Sequence, residues 1–203
     1  ISLLSFFVAP VAGRLLTRIP ARIFFGLGLG LIGLGLILMH GLSVDSEWTA
    51  LLAGFLVAGI GIGMVNPAIG SVAVGVVAPA KAGMASGINN TFRQVGIATG
   101  IAGLGAVFQS EIASRLPGTA SSDAAQGIAS AGPGAAAQGG PQAVDAAREA
   151  FVGAFNEILL IGAIIAFAGA VFGLFLTRER DLVTEGPPQE AISEVAEGET
   201  DAA

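Results

Sequence analysis

The chain has 203 residues, of which 53% are hydrophobic and only 12% charged, with 31 glycines and no cysteine. Soluble domains carry roughly 25% charged residues and about 7% glycine, so this composition excludes a water-facing globule and calls for lipid-facing helices, which need no charge and tolerate glycine. The net charge of −6 is local: residues 179–203 hold eight acids and one arginine, while residues 1–178 hold eight basic and seven acidic side chains, which leaves no basic patch and excludes a nucleic-acid partner. Without cysteine there is no disulfide framework and no thiolate-bound metal.

Ile1 to Gly13 is uncharged and has neither a basic leader nor a cleavage site, so it is not a signal peptide. It is too short for a bilayer core of about 30 Å, and is read as a partial span, 1–13, of a chain that begins inside a helix. A basic loop, 14–22, follows. Complete spans are predicted at about 23–42, 49–77, 84–108 and 153–177, each on an uncharged or nearly uncharged run. Trp48 marks the interface where the second complete span starts, and Pro67 inside it leaves the Gly63 carbonyl without its helical donor, which predicts a kink. Residues 109–150, rich in Ala, Gly, Ser, Gln and Pro, read as a long polar loop with little structure beyond a helical start at Pro141. The acidic tail 179–203 is expected to be disordered.

Basic residues set the orientation. Arg14, Arg18 and Arg22, then Lys81, then Arg178 and Arg180 alternate correctly to share the cytoplasmic side. The loop 109–150 then lies outside, and the tail lies in the cytoplasm.

Few residues suggest chemistry. Gly28, Gly30 and Gly33 match a dinucleotide fingerprint, which has meaning only between a strand and a helix. In mid-span they read as small residues for helix packing, as do Gly26/Gly30, Gly59/Gly63, Gly83/Gly87, Gly96/Gly100 and Gly169/Gly173, spaced four apart. So many small faces predict a dense bundle. His40 stands alone, with no metal ligand at a useful spacing, and no catalytic triad or phosphate loop is present, so neither an enzyme nor a metal or cofactor site is expected. Asn90, Arg93 and Gln94 share one side of a helix inside the membrane boundary. A guanidinium there is costly, which marks either a transport pathway or gate or a structural arginine bonded to carbonyls or headgroups. Asn66, beside the Pro67 kink, presents its amide either to a central cavity or to a neighbouring helix. Glu157 is either a proton-linked carboxylate or, the favoured reading, a solvated interfacial cap.

Gly13-Arg14-Leu15-Leu16-Thr17-Arg18-Ile19-Pro20-Ala21-Arg22 resembles the cytoplasmic loop signature of the major facilitator superfamily, with matches at Gly13, Leu15, Arg18 and Arg22 and departures at Thr17, Pro20 and Ala21. The glycines of 59–63, Asn66-Pro67, Val77-Ala78-Pro79 and Gly83 through Gly96, including Ala85-Ser86-Gly87, Asn89 and Arg93-Gln94, resemble the closing spans of fourteen-span drug:proton antiporters of the EmrB/QacA type. The resemblance implies the C-terminal helices of a major-facilitator-type bundle, all-α and integral to the plasma membrane, that works with an N-terminal half to export amphipathic small molecules against protons by alternating access. It further implies that this stretch alone does not transport. The Arg14/Arg18/Arg22 loop is read either as a latch, with guanidiniums holding carboxylates or helix C-terminal carbonyls of neighbouring spans in one state, or as positive charge that only orients the protein. An exporter of an endogenous metabolite and, from another class, a non-transporting membrane scaffold are the alternatives.

Overall fold

The computed structural model of the chain describes residues 2–16, 18–116 and 122–176. Every regular element among them is helical: α1 (Ser2–Leu15), α2 (Ala21–Met39), α3 (Ala50–Gly75), α4 (Ala82–Arg115), α5 (Ser122–Ala131) and α6 (Pro141–Leu176), with 3₁₀ turns at Pro79–Lys81 and Pro133–Gly139. Four of these, α2, α3, α4 and α6, are long and apolar enough to cross a membrane, and α1 is a shorter apolar helix. The architecture is thus the expected all-α membrane bundle with one partial and four complete spans. Thr17, the end of the last predicted span, Arg178, Arg180 and the tail 179–203 lie outside the described residues.

Packing centres on α2, which lies between α3 and α6. Its register against α6 is antiparallel: Phe25 meets Gly173, Leu29 meets Gly169, Phe167 meets Gly33 and Leu36 meets Gly162. Against α3 the helices approach almost backbone to backbone. A Cβ added at Gly35 would stand 2.7 Å from the Gly54 carbonyl oxygen and 2.8 Å from the Ala58 Cβ, and one added at Gly61 would meet the Gly28 carbonyl. Small residues are what permit such an approach, and dispersion between close helices replaces the hydrophobic drive that is absent in lipid. The glycines at 28 and 33 therefore serve packing, as their mid-span position indicates. At one end of this trio α1 joins α3: Ala12, Phe24 and Ala68 form a buried cluster that Leu16, Ile19, Phe25 and Met64 cover. α3 runs on through Pro67 to Gly75.

The expectation of a dense bundle throughout is corrected at α4. Cβ atoms added at Gly83, Gly87, Gly96 and Gly100 would meet nothing within 4 Å. Only 6% of its apolar stretch is buried, against 33% in α2 and 39% in α3.

The largest departure concerns 109–150, which is mostly helical rather than open loop. At 1.5 Å per residue, α4 with 34 residues and α6 with 36 are about 51 and 54 Å long. Both outrun the bilayer core by about 20 Å. Their projecting ends, with α5, bury Ile112, Ala125, Ile128, Ala147, Ala150 and Ala154 in a core of their own. Phe108 and Phe151 close its base edge to face, 5.1 Å between centroids. Ile112 and Ile128 supply the anchors and alanines let the helices close around them, so a segment that looks polar on average still holds a small core. Glycines punctuate this cap: Gly132, at φ 82°, ends α5, and Gly140, at φ 85°, turns the chain into Pro141 at the first position of α6.

Charge divides by end. Arg14, Arg18, Arg22 and Lys81 cluster where α1 meets α2 and α3 meets α4, whereas the described acids, Asp45, Glu47, Glu111, Asp123, Asp145, Glu149 and Glu157, belong to the opposite half. The two basic residues of the cap are each matched on their own helix, Arg115 with Glu111 at 3.3 Å and Arg148 with Asp145 at 3.6 Å.

The contrast between packed and open glycines predicts opposite responses. Gly35→Ala forces a methyl into the Gly54 backbone and costs about 1–3 kcal/mol, whereas Gly96→Ala meets nothing and is neutral or stabilising by up to about 1 kcal/mol. Thermal unfolding of each variant in detergent, followed by Trp48 fluorescence, checks both.

Candidate functional site

The segment before α4 sets where its polar residues fall. α3 ends at Gly75, Ala78 adopts an extended conformation, and Pro79 opens the 3₁₀ turn that leads into Ala82. Eleven residues further on, about 17 Å along the axis, lies Arg93. Asn90, Arg93 and Gln94 are all exposed, and so are Phe92 and Val95 between and beside them. None of the three polar side chains has a hydrogen bond or ion pair among the described residues, while Thr91 satisfies its own hydroxyl by donating to the Gly87 carbonyl at 3.0 Å. Nothing in the described chain therefore covers a guanidinium and two amides that lie more than a headgroup's depth from the helix end. In lipid such groups require protein or water beside them.

Asn66, the candidate on α3, is also exposed and lies about 14 Å from the Gly75 end, at nearly the depth of Arg93. It does not hydrogen-bond to the α4 group. Glu157 is half-buried on α6, about 28 Å from Leu176. The structure thus separates the five candidates: Asn66 with Asn90, Arg93 and Gln94 in the half nearer the basic end, and Glu157 alone toward the acidic one. Among the described residues no group of three His, Asp or Glu side chains could hold a metal ion.

The loop carrying Gly13, Arg14, Arg18 and Arg22 is a tight turn, shorter than 14–22. Leu16 donates to the Ala12 carbonyl, and the Arg18 and Ile19 amides both donate to Leu15, each at 2.9 Å. Ile23 then donates to Pro20 at 3.0 Å as α2 begins. Leu16 and Ile19 face the α1–α3 cluster, which leaves the three arginines exposed beside it. Arg18 and Arg22 pair with no acid among the described residues.

Asn156 is the residue whose importance its sequence context concealed. Its side chain on α6 makes three hydrogen bonds to the backbone of the α2–α3 connection. The only signal was an amide beside Glu157 at the head of an uncharged run, a pattern that fits a solvated boundary equally well.

A glycine-packed set of membrane-length helices, basic at one end and carrying uncovered polar groups within a span, defines a multi-pass membrane protein. Residues 1–198 match the Major Facilitator Superfamily, and the chain belongs to that family of membrane transporters. Two curated relatives, each named multidrug resistance protein Stp and drawn from the CDC 1551 / Oshkosh and ATCC 25618 / H37Rv strains of Mycobacterium tuberculosis, are 34% identical over 109 residues. The match covers 54% of this chain and 20% of each relative, so the chain spans about a fifth of their length. No solved structure matches.

An uncovered guanidinium should oppose insertion of its own helix. Arg93→Leu is expected to favour membrane insertion of the isolated α4 segment by about 3 kcal/mol, read as the inserted fraction in a glycosylation-mapping assay.

Proposed function

We propose that the chain is the C-terminal part of a secondary active exporter in the plasma membrane that moves amphipathic small molecules outward against proton entry by alternating access. The observation that carries this reading is the uncovered polar face of α4. A transporter-family helix with Asn90, Arg93 and Gln94 turned to no partner among the described residues is suited to line a pathway or gate between two halves of a carrier. The match to a fifth of the length of two relatives named for multidrug resistance supports both the export of drugs and the existence of a further, N-terminal half as the structural partner. The fourteen-span antiporter branch is the form in which we place it.

In this reading the basic end faces the cytoplasm, where the Arg14/Arg18/Arg22 loop latches carboxylates or helix-terminal carbonyls of neighbouring spans in one conformational state. The acidic end and its helical cap face outward, and the tail 179–203 is cytoplasmic. Asn66, at a depth near that of Arg93, lines the same pathway. Glu157 caps the outer boundary.

Arg93 is the most direct test. In the whole carrier, Arg93→Gln should lower export of a cationic dye about tenfold, the loss of one charge-assisted contact, while surface abundance holds. Equal loss of export and abundance would overturn the pathway role and leave a structural arginine. Arg18→Gln should reduce export with insertion intact, and unchanged efflux would remove the latch. Collapse of the proton gradient should abolish export by the unmodified carrier.

A further inference from the structure

We infer that Asn156 is a positioning residue that clasps the α2–α3 connection to α6, making α2, α3 and α6 one rigid unit at the acidic end while the uncovered middle of α4, 90–103, is left able to move. The second half of that statement rests on the transport reading, whereas the clasp itself rests on geometry.

α2 ends at Met39, and Gly41, at φ 89°, turns the chain away from the helix axis. Only glycine adopts this conformation without steric cost. The amides after the turn have left the helix and need acceptors at the membrane boundary. Asn156, more than a hundred residues later, provides one for both: its Oδ1 accepts from the Gly41 N–H at 3.0 Å and from the Leu42 N–H at 3.1 Å. Its Nδ2 donates back to the Leu42 carbonyl at 2.8 Å. The carboxamide therefore pairs with Leu42 as a neighbouring peptide group would, and uses three of its four hydrogen-bonding positions. The rest of the connection is held locally, with the Ser43 N–H donating to the Ser46 hydroxyl at 2.9 Å.

The same turn of α6 also receives α4. Gly153 leaves room for the Arg115 side chain, whose Nη1 would stand 2.8 Å from a Cβ at that position. Ala150 and Ala154, on either side, belong to the core around Ile112. Residues 150–156 of α6 thus fasten the end of α4 on one side and the α2–α3 turn on the other. Toward the basic end α4 is joined to α3 by the short connection through Pro79–Lys81, and between these two attachments it is exposed from Asn90 through Gly103.

Two readouts on the chain reconstituted in phosphatidylcholine/phosphatidylglycerol nanodiscs test the clasp. Hydrogen exchange at Gly41 and Leu42 should be slow in the unmodified chain and about tenfold faster or more in Asn156→Leu, which keeps the volume but makes no hydrogen bond. Asn156→Asp keeps both acceptor contacts and should retain most of the protection. Nitroxide labels at Val44 and Leu160 should give a narrow distance distribution that broadens in Asn156→Leu, while a pair at Leu160 and Ile101 stays broad in both. Exchange at the unprotected rate in the unmodified chain, or a Val44–Leu160 distribution as narrow in Asn156→Leu as without it, would overturn the clasp. Neither readout involves transport, so its failure leaves the export reading intact, and a carrier that exports nothing leaves the clasp intact.

Discussion

Where α2 crosses α3, the Gly35 carbonyl lies 2.5 Å from where a Gly54 Cβ would be, and Gly28 and Gly61 face each other in the same way. That approach is possible only because neither helix carries a side chain there. In lipid it is also the strongest kind of contact open to an apolar helix, since tails solvate leucine as well as a protein interior does. Once α2 and α3 have closed, a second face of α2, about a quarter-turn round the helix, is left to α6, whose Gly169 and Gly173 accept Leu29 and Phe25. The remaining helices find their places around this trio: α1 against the far end of α3, and α4 where the cap holds it.

The cap supplies the second constraint. Because α4 and α6 are each about 20 Å longer than the bilayer requires, they meet outside it, through Ile112, Phe108 and Phe151, and inside it they need not meet at all. This separates two tasks along one helix. The end of α4 is fixed in a water-facing core, while its middle carries Arg93, Asn90 and Gln94 into a region where nothing in the described chain receives them. In the proposed transport cycle, a helix held near both ends and polar along an uncovered middle is the candidate wall of a pathway, and the basic cluster is the candidate latch.

Much of this was legible from residue type and spacing. Uncharged runs located α2 and α3 to within about three residues, because burial in lipid tolerates so few charges. Arg93 stood out for the same reason. The cap was not legible: Ile112 and Ile128 are isolated apolar residues in an Ala/Gly/Ser background, and only the length of α4 and α6 brings them together. Nor could the spacing of glycines by four tell packed from open faces, since Gly169/Gly173 and Gly96/Gly100 look alike as sequence and differ only in which helix stands opposite. Asn156 escaped notice because its partners are backbone groups, which have no sequence signature.

The central claim is that the middle of α4, from Asn90 to Gly103, has no partner among the described residues. Nitroxide labels placed singly from Phe92 to Ala102, in the chain reconstituted in bilayers, report contact with lipid through their accessibility to oxygen. The account predicts high accessibility at every position in that stretch. A minimum recurring every three to four residues would show that α4 packs against α3 or α6, and would contradict it.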